Sequence, residues 1–306
     1  MTKSSLPPGV QVIERGWLSA NMVIATGQYN TAVIDSGYCT HSEQTVALVQ
    51  AAFADAPLKY LLNTHLHSDH CGGNAALQSH FPLVQTLIPP GHASAVADWD
   101  PVTLSHVPTG QQCPRFAYQG LLTPGHEIQL GANTWQIHAA PGHDPHSVVL
   151  FEPASRTLIS ADALWENGFG VVFPELEGDD AFEAVGATLD LIAQLSPVTV
   201  IPGHGRVFPY SETALGRART RLDAFTTNPL KHARHAAKVL LKFKLLEVQQ
   251  QELDVFRDWA LSTPYFELVR SRFFTSVSAV DWINTLVEEL QISGAARREG
   301  SNLVNA

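Results

Sequence analysis

The sequence predicts a mixed α/β domain over residues 1–215 followed by a mainly helical domain over 216–306. Three observations predict it. Short β-rich runs recur through the first two thirds, and several stop at a Gly/Pro turn that presents one His or Asp, as in Pro141-Gly142-His143 and Pro202-Gly203-His204. Beyond residue 215, helical periodicity replaces them. The charge breaks at the same place: residues 1–215 carry six Lys+Arg against 19 Asp+Glu, net −13, whereas 216–306 carry 13 against 10, net +3. With 306 residues and 45% hydrophobic content, the chain can bury a large core and an appendage.

Taken in order, stretches 10–14, 22–25 and 31–35 read as strands, the last ending at Ser36-Gly37. Their spacing and Gly27 predict hairpin-connected antiparallel pairing. Residues 41–54 have a helical period, with Val46, Val49 and Phe53 on one face. Residues 58–62 form a short buried strand, and Gly72-Gly73 begins the turn into a helix over 74–79. Residues 85–127 are punctuated by Pro89-Pro90-Gly91, Pro101, Pro108, Gly110, Pro114 and Pro124-Gly125. Apart from a short helix over 92–99, they read as a long irregular connection. Connections of that length are usually functional or disordered, and part of this one is read as a wall of a binding site. A strand over 134–138, a hairpin of 147–151 and 157–160, a helix over 182–195 and a strand over 198–201 complete the α/β part. After residue 215 come helices over 231–248, 252–261 and 279–290. Pro264 separates the last two and Gly294 ends the third, and 297–300 reads as a turn or wing.

No run reaches the ~18 apolar residues of a membrane span. The first eleven residues hold one lysine, two prolines and no apolar core, so no signal peptide is expected and cytoplasmic residence is the default. Cys39, Cys71 and Cys113 are odd in number and widely spaced, which argues against a disulfide framework. Cys71 is expected to fill a tight turn.

The most informative stretch is Thr64-His65-Leu66-His67-Ser68-Asp69-His70. It places four metal-binding groups within six residues, on a loop at the end of a strand. Imidazole and carboxylate together suit Zn²⁺, Fe or Mn. His143, Asp162 and His204 stand at the ends of later strands and extend the set to seven. His80, His92, His106, His126 and His138 lack that context and read as structural. Asp35 reads as a residue that satisfies backbone amides in its Asp-Ser-Gly turn.

With Asn21, Ile34-Asp35-Ser36-Gly37, Thr64 to Gly73, Pro141-Gly142-His143, Ser160-Ala161-Asp162 and Pro202-Gly203-His204-Gly205 in this order, the sequence resembles the metallo-β-lactamase-fold hydrolases. Glyoxalase II is a well-known branch of them. The resemblance implies an αββα sandwich with the site at one edge. It implies two divalent metal ions, for which Zn²⁺ is the expectation and Fe or Mn the alternatives. His65, His67 and His143 would hold the first ion, Asp69, His70 and His204 the second, and Asp162 would bridge them. Such ions sit about 3.5–4 Å apart and lower the pKa of bound water toward ~7, so that hydroxide can attack a carbonyl. Asp69 would also orient the nucleophile or accept its proton, which makes it the candidate catalytic residue.

The expected substrate is a small thioester or related acyl ester. A thiolate leaves without a strong proton donor, and no general acid stands beside the ligands in sequence. Trp165 and Phe169 are candidates for an acyl pocket, Arg206 for meeting a substrate anion, and His146 for approaching the site. Phe173 reads rather as core. Six basic residues in 1–215 are a poor supply for a polyphosphate backbone, so nucleic acid is not the expected partner. The alternatives are a phosphodiesterase or nuclease of the same fold, using the basic C-terminal part as a clamp, and a regulatory metal-binding protein acting through protein contacts. The C-terminal part loosely resembles a winged-helix-like domain. His67→Ala or Asp162→Ala is expected to abolish turnover and reduce bound metal, and wild-type activity in rigorously metal-free buffer would exclude the two-metal reading.

Overall fold

The central strands of the first two thirds are apolar at most positions, and the computed structural model, which describes residues 6–27, 30–53 and 56–306, shows why. They are covered on both faces, whereas the outer strands Glu127–Leu130 and Asn133–Ala139 keep exposed polar positions. The first sheet runs in sequence order through β1 (Val10–Ile13), β2 (Met22–Ala25), β3 (Ala32–Ile34), β4 (Tyr60–Leu62), β5 (Gln85–Ile88) and β6 (Gly120–Leu121). The β1–β2–β3 pairs are antiparallel and the remaining pairs parallel. The second sheet runs through β7 (Glu127–Leu130), β8 (Asn133–Ala139), β9 (Val148–Glu152), β10 (Thr157–Ala161), β11 (Thr199–Pro202) and β12 (Phe208–Pro209). It is antiparallel except between β10 and β11.

The period of two along a strand divides each apolar run between two cores. Val23, Ile34 and Leu62 of the first sheet share a buried cluster with Trp135, Ile137, Leu150, Ile159 and Ile201 of the second. Their neighbours Met22, Ile24, Val33 and Leu61 face the other way, onto α1 (Ser42–Phe53). The short α2 (Ser68–Cys71) follows β4 and leads to α3 (Asn74–His80), whose Leu77 joins that outer layer. α4 (Ala93–Asp98) and α5 (Phe173–Glu177) are short connections. On the second sheet Val149, Phe151, Leu158 and Val200 pack against Phe182, Val185, Leu189 and Ile192 of α6 (Ala181–Leu195). The layers are therefore α, β, β, α, as the resemblance implies. A sheet buried on both faces loses the polar alternation of a half-exposed one.

Ala54, the end of the helix expected over 41–54, lies outside the described residues. The connection over 85–127 contains three short strands, β5, β6 and the start of β7, that the sequence reading leaves irregular. β5 has four residues before Pro89-Pro90, too few to show a period.

Two further helices lie outside the sequence reading. α7 (Glu212–Thr227) crosses residue 215, and its Ala214, Leu215, Ala218 and Phe225 belong to the cluster on the second sheet. The packing partner changes at Asn228, whose side chain accepts from Lys231 N at 3.1 Å and caps α8 (Pro229–Val248). Ala236, Ala237, Leu240, Leu241 and Leu245 of α8 form a separate core with α9 (Leu253–Ser262), α10 (Pro264–Phe273) and α11 (Ala279–Ile292). Pro264 is not a separator but the first residue of α10, where its missing N–H costs nothing. Residues 297–300 belong to a three-stranded antiparallel sheet in the order β13 (Gln250–Glu252), β15 (Asn302–Asn305), β14 (Ala296–Glu299).

His232 links the two parts. It is 1% exposed on α8, accepts from Val172 N at 3.2 Å and packs between the rings of Phe182 and Phe225. Accepting a backbone N–H requires a neutral ring. Burial, with the nearby His235 and Arg221, pushes its pKa down to about 3. A depressed folded pKa means the unfolded chain binds the proton more readily, so this contribution to stability is complete above 6.5 and is lost as pH falls toward about 3. In urea unfolding followed across that range, His232→Gln is expected to show a shallower loss of stability with acid than the wild type. An identical slope would assign the acid sensitivity to other groups.

Candidate metal centre

The loop from Thr64 to His70 is clamped by backbone bonds to both sheets. Thr64 O accepts from Val148 N at 2.9 Å, at the start of β9. His70 O accepts from Ser36 N at 2.7 Å and from Asn63 Nδ2 at 3.1 Å, and Asp69 O accepts from Ala20 N at 2.9 Å. His67 O accepts from His70 N and Cys71 N at the end of α2, so this single helical turn folds Asp69 and His70 back over the strand ends.

The other candidates arrive from neighbouring strand ends. His143 follows β8, Asp162 follows β10 and His204 follows β11. Ala161 has a left-handed φ of 46°, a conformation costing about 1–3 kcal/mol for a non-glycine residue, and it turns the chain directly before Asp162. Gly203 is required by space. A Cβ there would lie 2.1 Å from Asp162 Oδ1. Asn21, just before β2, donates to Pro202 O at 2.9 Å and to Gly205 O at 2.8 Å, which ties the first sheet to the turn that carries His204.

The outer ring nitrogens fix the protonation of the inner ones. His143 Nδ1 donates to Val171 O, and His204 Nδ1 donates to Gly16 O at 2.9 Å. His70 Nδ1 donates to Asp35 Oδ2 at 2.8 Å. Thr64 Oγ1 gives its proton to the same carboxylate at 2.8 Å and so accepts from His65 Nδ1 at 3.2 Å. Each of these rings therefore turns its Nε2 inward, toward the cluster. His67 Nδ1 lies 3.1 Å from His65 Nε2 and 2.8 Å from His143 Nε2. One proton on His67 serves only one of these neighbours, whereas a cation serves all three nitrogens. His70 Nε2 is buried and has no hydrogen-bond partner among the described residues. These are the tautomers a metal requires.

Asp162 stands between two trios. Its Oδ2 is 3.4 Å from His143 Nε2 and 3.9 Å from His204 Nε2, and its Oδ1 is 3.6 Å from His70 Nε2. Asp69 Oδ2 is 3.0 Å from His204 Nε2 and 3.8 Å from His70 Nε2. Candidate ligand atoms lie within 4.8 Å of one another in the sets His65/His67/His143, Asp69/His70/His204 and His65/His70/Asp162. All seven sequence candidates are thus brought together, and the donor set fits divalent cations.

The electrostatics differ between the trios. Burial, reinforced by His143, pushes His67 down to about 3, and burial with the neighbouring histidines also holds His65 well below its ordinary value. Burial opposes protonation of His70 and His204 as well, but Asp35, Asp69 and Asp162 outweigh it at His70, and Asp162 and Asp69 at His204. Burial likewise opposes ionisation of Asp162, and the charges of His204 and His70 overcome it. The carboxylates demand positive charge beside them, which protons or a metal supply.

A cavity of about 370 Å³ opens over this cluster and exposes His67, Asp69, His143, Asp162 and His204. Trp17 and Trp165 form one side. Trp17 stacks on His204 at 5.4 Å, and Trp165 Nε1 donates to Asp162 Oδ1 at 3.1 Å. Ser105, Thr109 and Gln111 bring the 85–127 connection to the cavity, and Arg221 of α7 with His235, Val239, Leu240 and Phe243 of α8 closes it.

Of the four substrate candidates, Trp165 and Arg206 line the cavity, and Arg206 has no acidic partner within 4.0 Å among the described residues. Phe169 does not line it. That ring is 1% exposed and packs against Phe225 in the core on the second sheet. Phe173 takes the position instead, 5.3 Å from the His67 ring and 5.8 Å from that of His143. The two aromatics exchange the roles expected of them because the irregular segment after β10 has no period from which to assign faces. His146 is exposed and meets the His92 ring at 4.5 Å, away from the cavity lining. Cys71 is buried, with its sulfur against Leu66 O and Cys113 Sγ. Asp35 accepts one backbone amide, Thr64 N at 2.9 Å, and also positions His70, a role its turn context did not disclose. Trp17, Arg221 and His235 were not legible at all, since no local pattern marks them.

The profile described as the Metallo-beta-lactamase superfamily matches residues 15–204. A hydroxyacylglutathione hydrolase from Thermosynechococcus vestitus is 23% identical over 195 residues, 64% of this chain and 66% of that protein, so the match spans just under two thirds of its length. Another from Trichormus variabilis is 26% identical over 227 residues, 72% of this chain and 75% of that protein. A crystal structure of a beta-lactamase domain protein from Burkholderia ambifaria aligns over 99% of this chain and 94% of its own, with a TM-score of 0.60 and 19% identity. It shares the fold.

Asp35→Asn places an amide where the His70 Nδ1–H and the Thr64 donors need an acceptor. It is expected to weaken metal binding about 10–100-fold in competition with a chromophoric chelator while leaving the circular dichroism spectrum unchanged. Undiminished affinity would show that Asp35 only holds its turn.

Proposed function

Because the chain belongs to the metallo-beta-lactamase superfamily, we propose that it is a metal-dependent hydrolase that uses two divalent ions, Zn²⁺ in the first instance, to cleave a small thioester or related acyl ester. The observation that carries the reading is the convergence of seven side chains as two trios about Asp162, with the outer ring nitrogens of His70, His143 and His204 held by hydrogen bonds so that the inner ones face the cluster. His65, His67 and His143 would hold one ion, and Asp69, His70 and His204 the other. When bound, the ions supply Lewis acidity to a carbonyl oxygen and lower the pKa of water.

The chain's own residues supply the rest. Asp69 is the cluster carboxylate with the more exposed side chain, 14% against 6% for Asp162, and it lines the cavity. It would orient a water or accept its proton. Trp17, Trp165 and Phe173 form an apolar wall for an acyl group. Of the polar groups around the remaining wall, Ser105, Thr109, Gln111, Arg206 and Arg221 are poor proton donors at neutral pH, and burial with the nearby Arg221 pushes His235 down to about 4, so its ring carries no extra proton to give there. That favours a leaving group such as a thiolate, which departs unprotonated, over an amide nitrogen. The named activity of the two hydroxyacylglutathione hydrolases supports the same class. The scarcity of basic residues in 1–215 speaks against a polyphosphate substrate. No described helix is long and apolar enough to cross a membrane, and three free thiols suit a reducing compartment such as the cytoplasm.

The test is a panel assay on purified protein whose metals have been quantified by elemental analysis. It offers acyl-glutathione and acyl-CoA thioesters, lactones, bis(p-nitrophenyl) phosphate and single-stranded RNA. Turnover of the thioesters is expected. Turnover confined to the phosphodiesters would replace this reading with the nuclease one.

A further inference from the structure

We propose that Cys71, His106 and Cys113 form a separate thiolate–imidazole metal site, suited to Zn²⁺, that staples the cavity wall to α2. The two sulfurs lie 3.7 Å apart. Zinc–sulfur bonds of about 2.3 Å at a tetrahedral angle put two sulfurs roughly 3.8 Å apart, so the pair already has the spacing of a zinc dithiolate. A disulfide would require closure to about 2.05 Å. A ring nitrogen of His106 completes a set whose ligand atoms all lie within 4.8 Å of one another.

The state of His106 is an independent observation. The side chain is 2% exposed, and its Nε2–H donates to Leu66 O at 3.0 Å. That bond leaves Nδ1 with the lone pair, and Nδ1 is buried without a partner among the described residues. A buried, orphaned imidazole nitrogen is costly unless something binds it, and Cys71 and Cys113 both belong to the apolar cluster around Leu66, whose carbonyl holds the ring. A ring that gives one N–H to a backbone carbonyl is oriented as metal-ligating histidines are.

The position gives the site a purpose. Cys71 is the last residue of α2, directly after Asp69 and His70. His106 and Cys113 lie in the same connection as Ser105, Thr109 and Gln111, which line the cavity. An ion there would tie that wall to the helix that presents Asp69. Cys113 is partly exposed, which provides an entry path and leaves the fourth coordination position to solvent. Binding would release both thiol protons to water.

Cobalt(II) substitution of the full chain tests the proposal. Thiolate-to-cobalt charge transfer absorbs in the near ultraviolet, and the seven candidate ligands of the catalytic centre, all nitrogen or oxygen donors, cannot produce it. The band is expected in the wild type and in Cys39→Ser. It should vanish in Cys113→Ser and weaken or shift in His106→Gln, with one equivalent of metal lost in Cys113→Ser. Absence of the band in wild-type protein whose three thiols all react with a thiol reagent would overturn the site. Absence with only one reactive thiol would overturn it in favour of a Cys71–Cys113 disulfide. Neither result depends on which substrate the enzyme cleaves.

Discussion

Three carboxylates, Asp35, Asp69 and Asp162, are gathered at one end of a sandwich whose core between the sheets is apolar, and the rest of the architecture answers to that constraint. Each buried charge costs several kcal/mol unless it is paired and hydrogen-bonded. Asp35 is satisfied by Thr64 and His70. Asp69 and Asp162 are satisfied by histidines and by whatever cation the histidines gather. Removing one partner of such a buried pair costs about 3–5 kcal/mol, because the survivor remains buried and unpaired. The cluster is therefore coupled as a unit.

The fold accepts local strain to maintain it. Asp35 and Ala161 both have left-handed backbones, with φ of 60° and 46°, and both sit where a strand hands the chain to the site. Gly203 removes a side chain so that Asp162 and His204 can approach. The backbone clamps on Thr64, Asp69 and His70 draw on both sheets, so the sandwich has to be assembled before the site exists.

The cavity is shared work. Its floor is the cluster, one wall is the 85–127 connection, another is the aromatic segment after β10, and its far side is α7 and α8. The C-terminal helices thus shape what enters, although their own core is separate from that of the sandwich. A chemistry common to a large superfamily is narrowed here by side chains from a different part of the chain. This is the physical sense in which fold alone leaves substrate open.

What the sequence by itself determined is which side chains gather at the candidate centre. Four ligands within six residues, and single His or Asp residues at Gly/Pro turns after β-rich runs, are local patterns that local chemistry constrains, and all seven converge. The layered architecture was legible through the resemblance that these same motifs carry, because they occur in the family's order across most of the first two thirds. The tertiary structure alone decided how Asp35 steers His70, which of Phe169 and Phe173 meets the site, how α7 carries the first core past residue 215, and that Cys71 and Cys113 are neighbours across 42 residues of chain. Each of these depends on where an irregular segment lies against a distant element. Spacing along a chain encodes periods and turns. It does not encode the direction of a side chain whose backbone has no period.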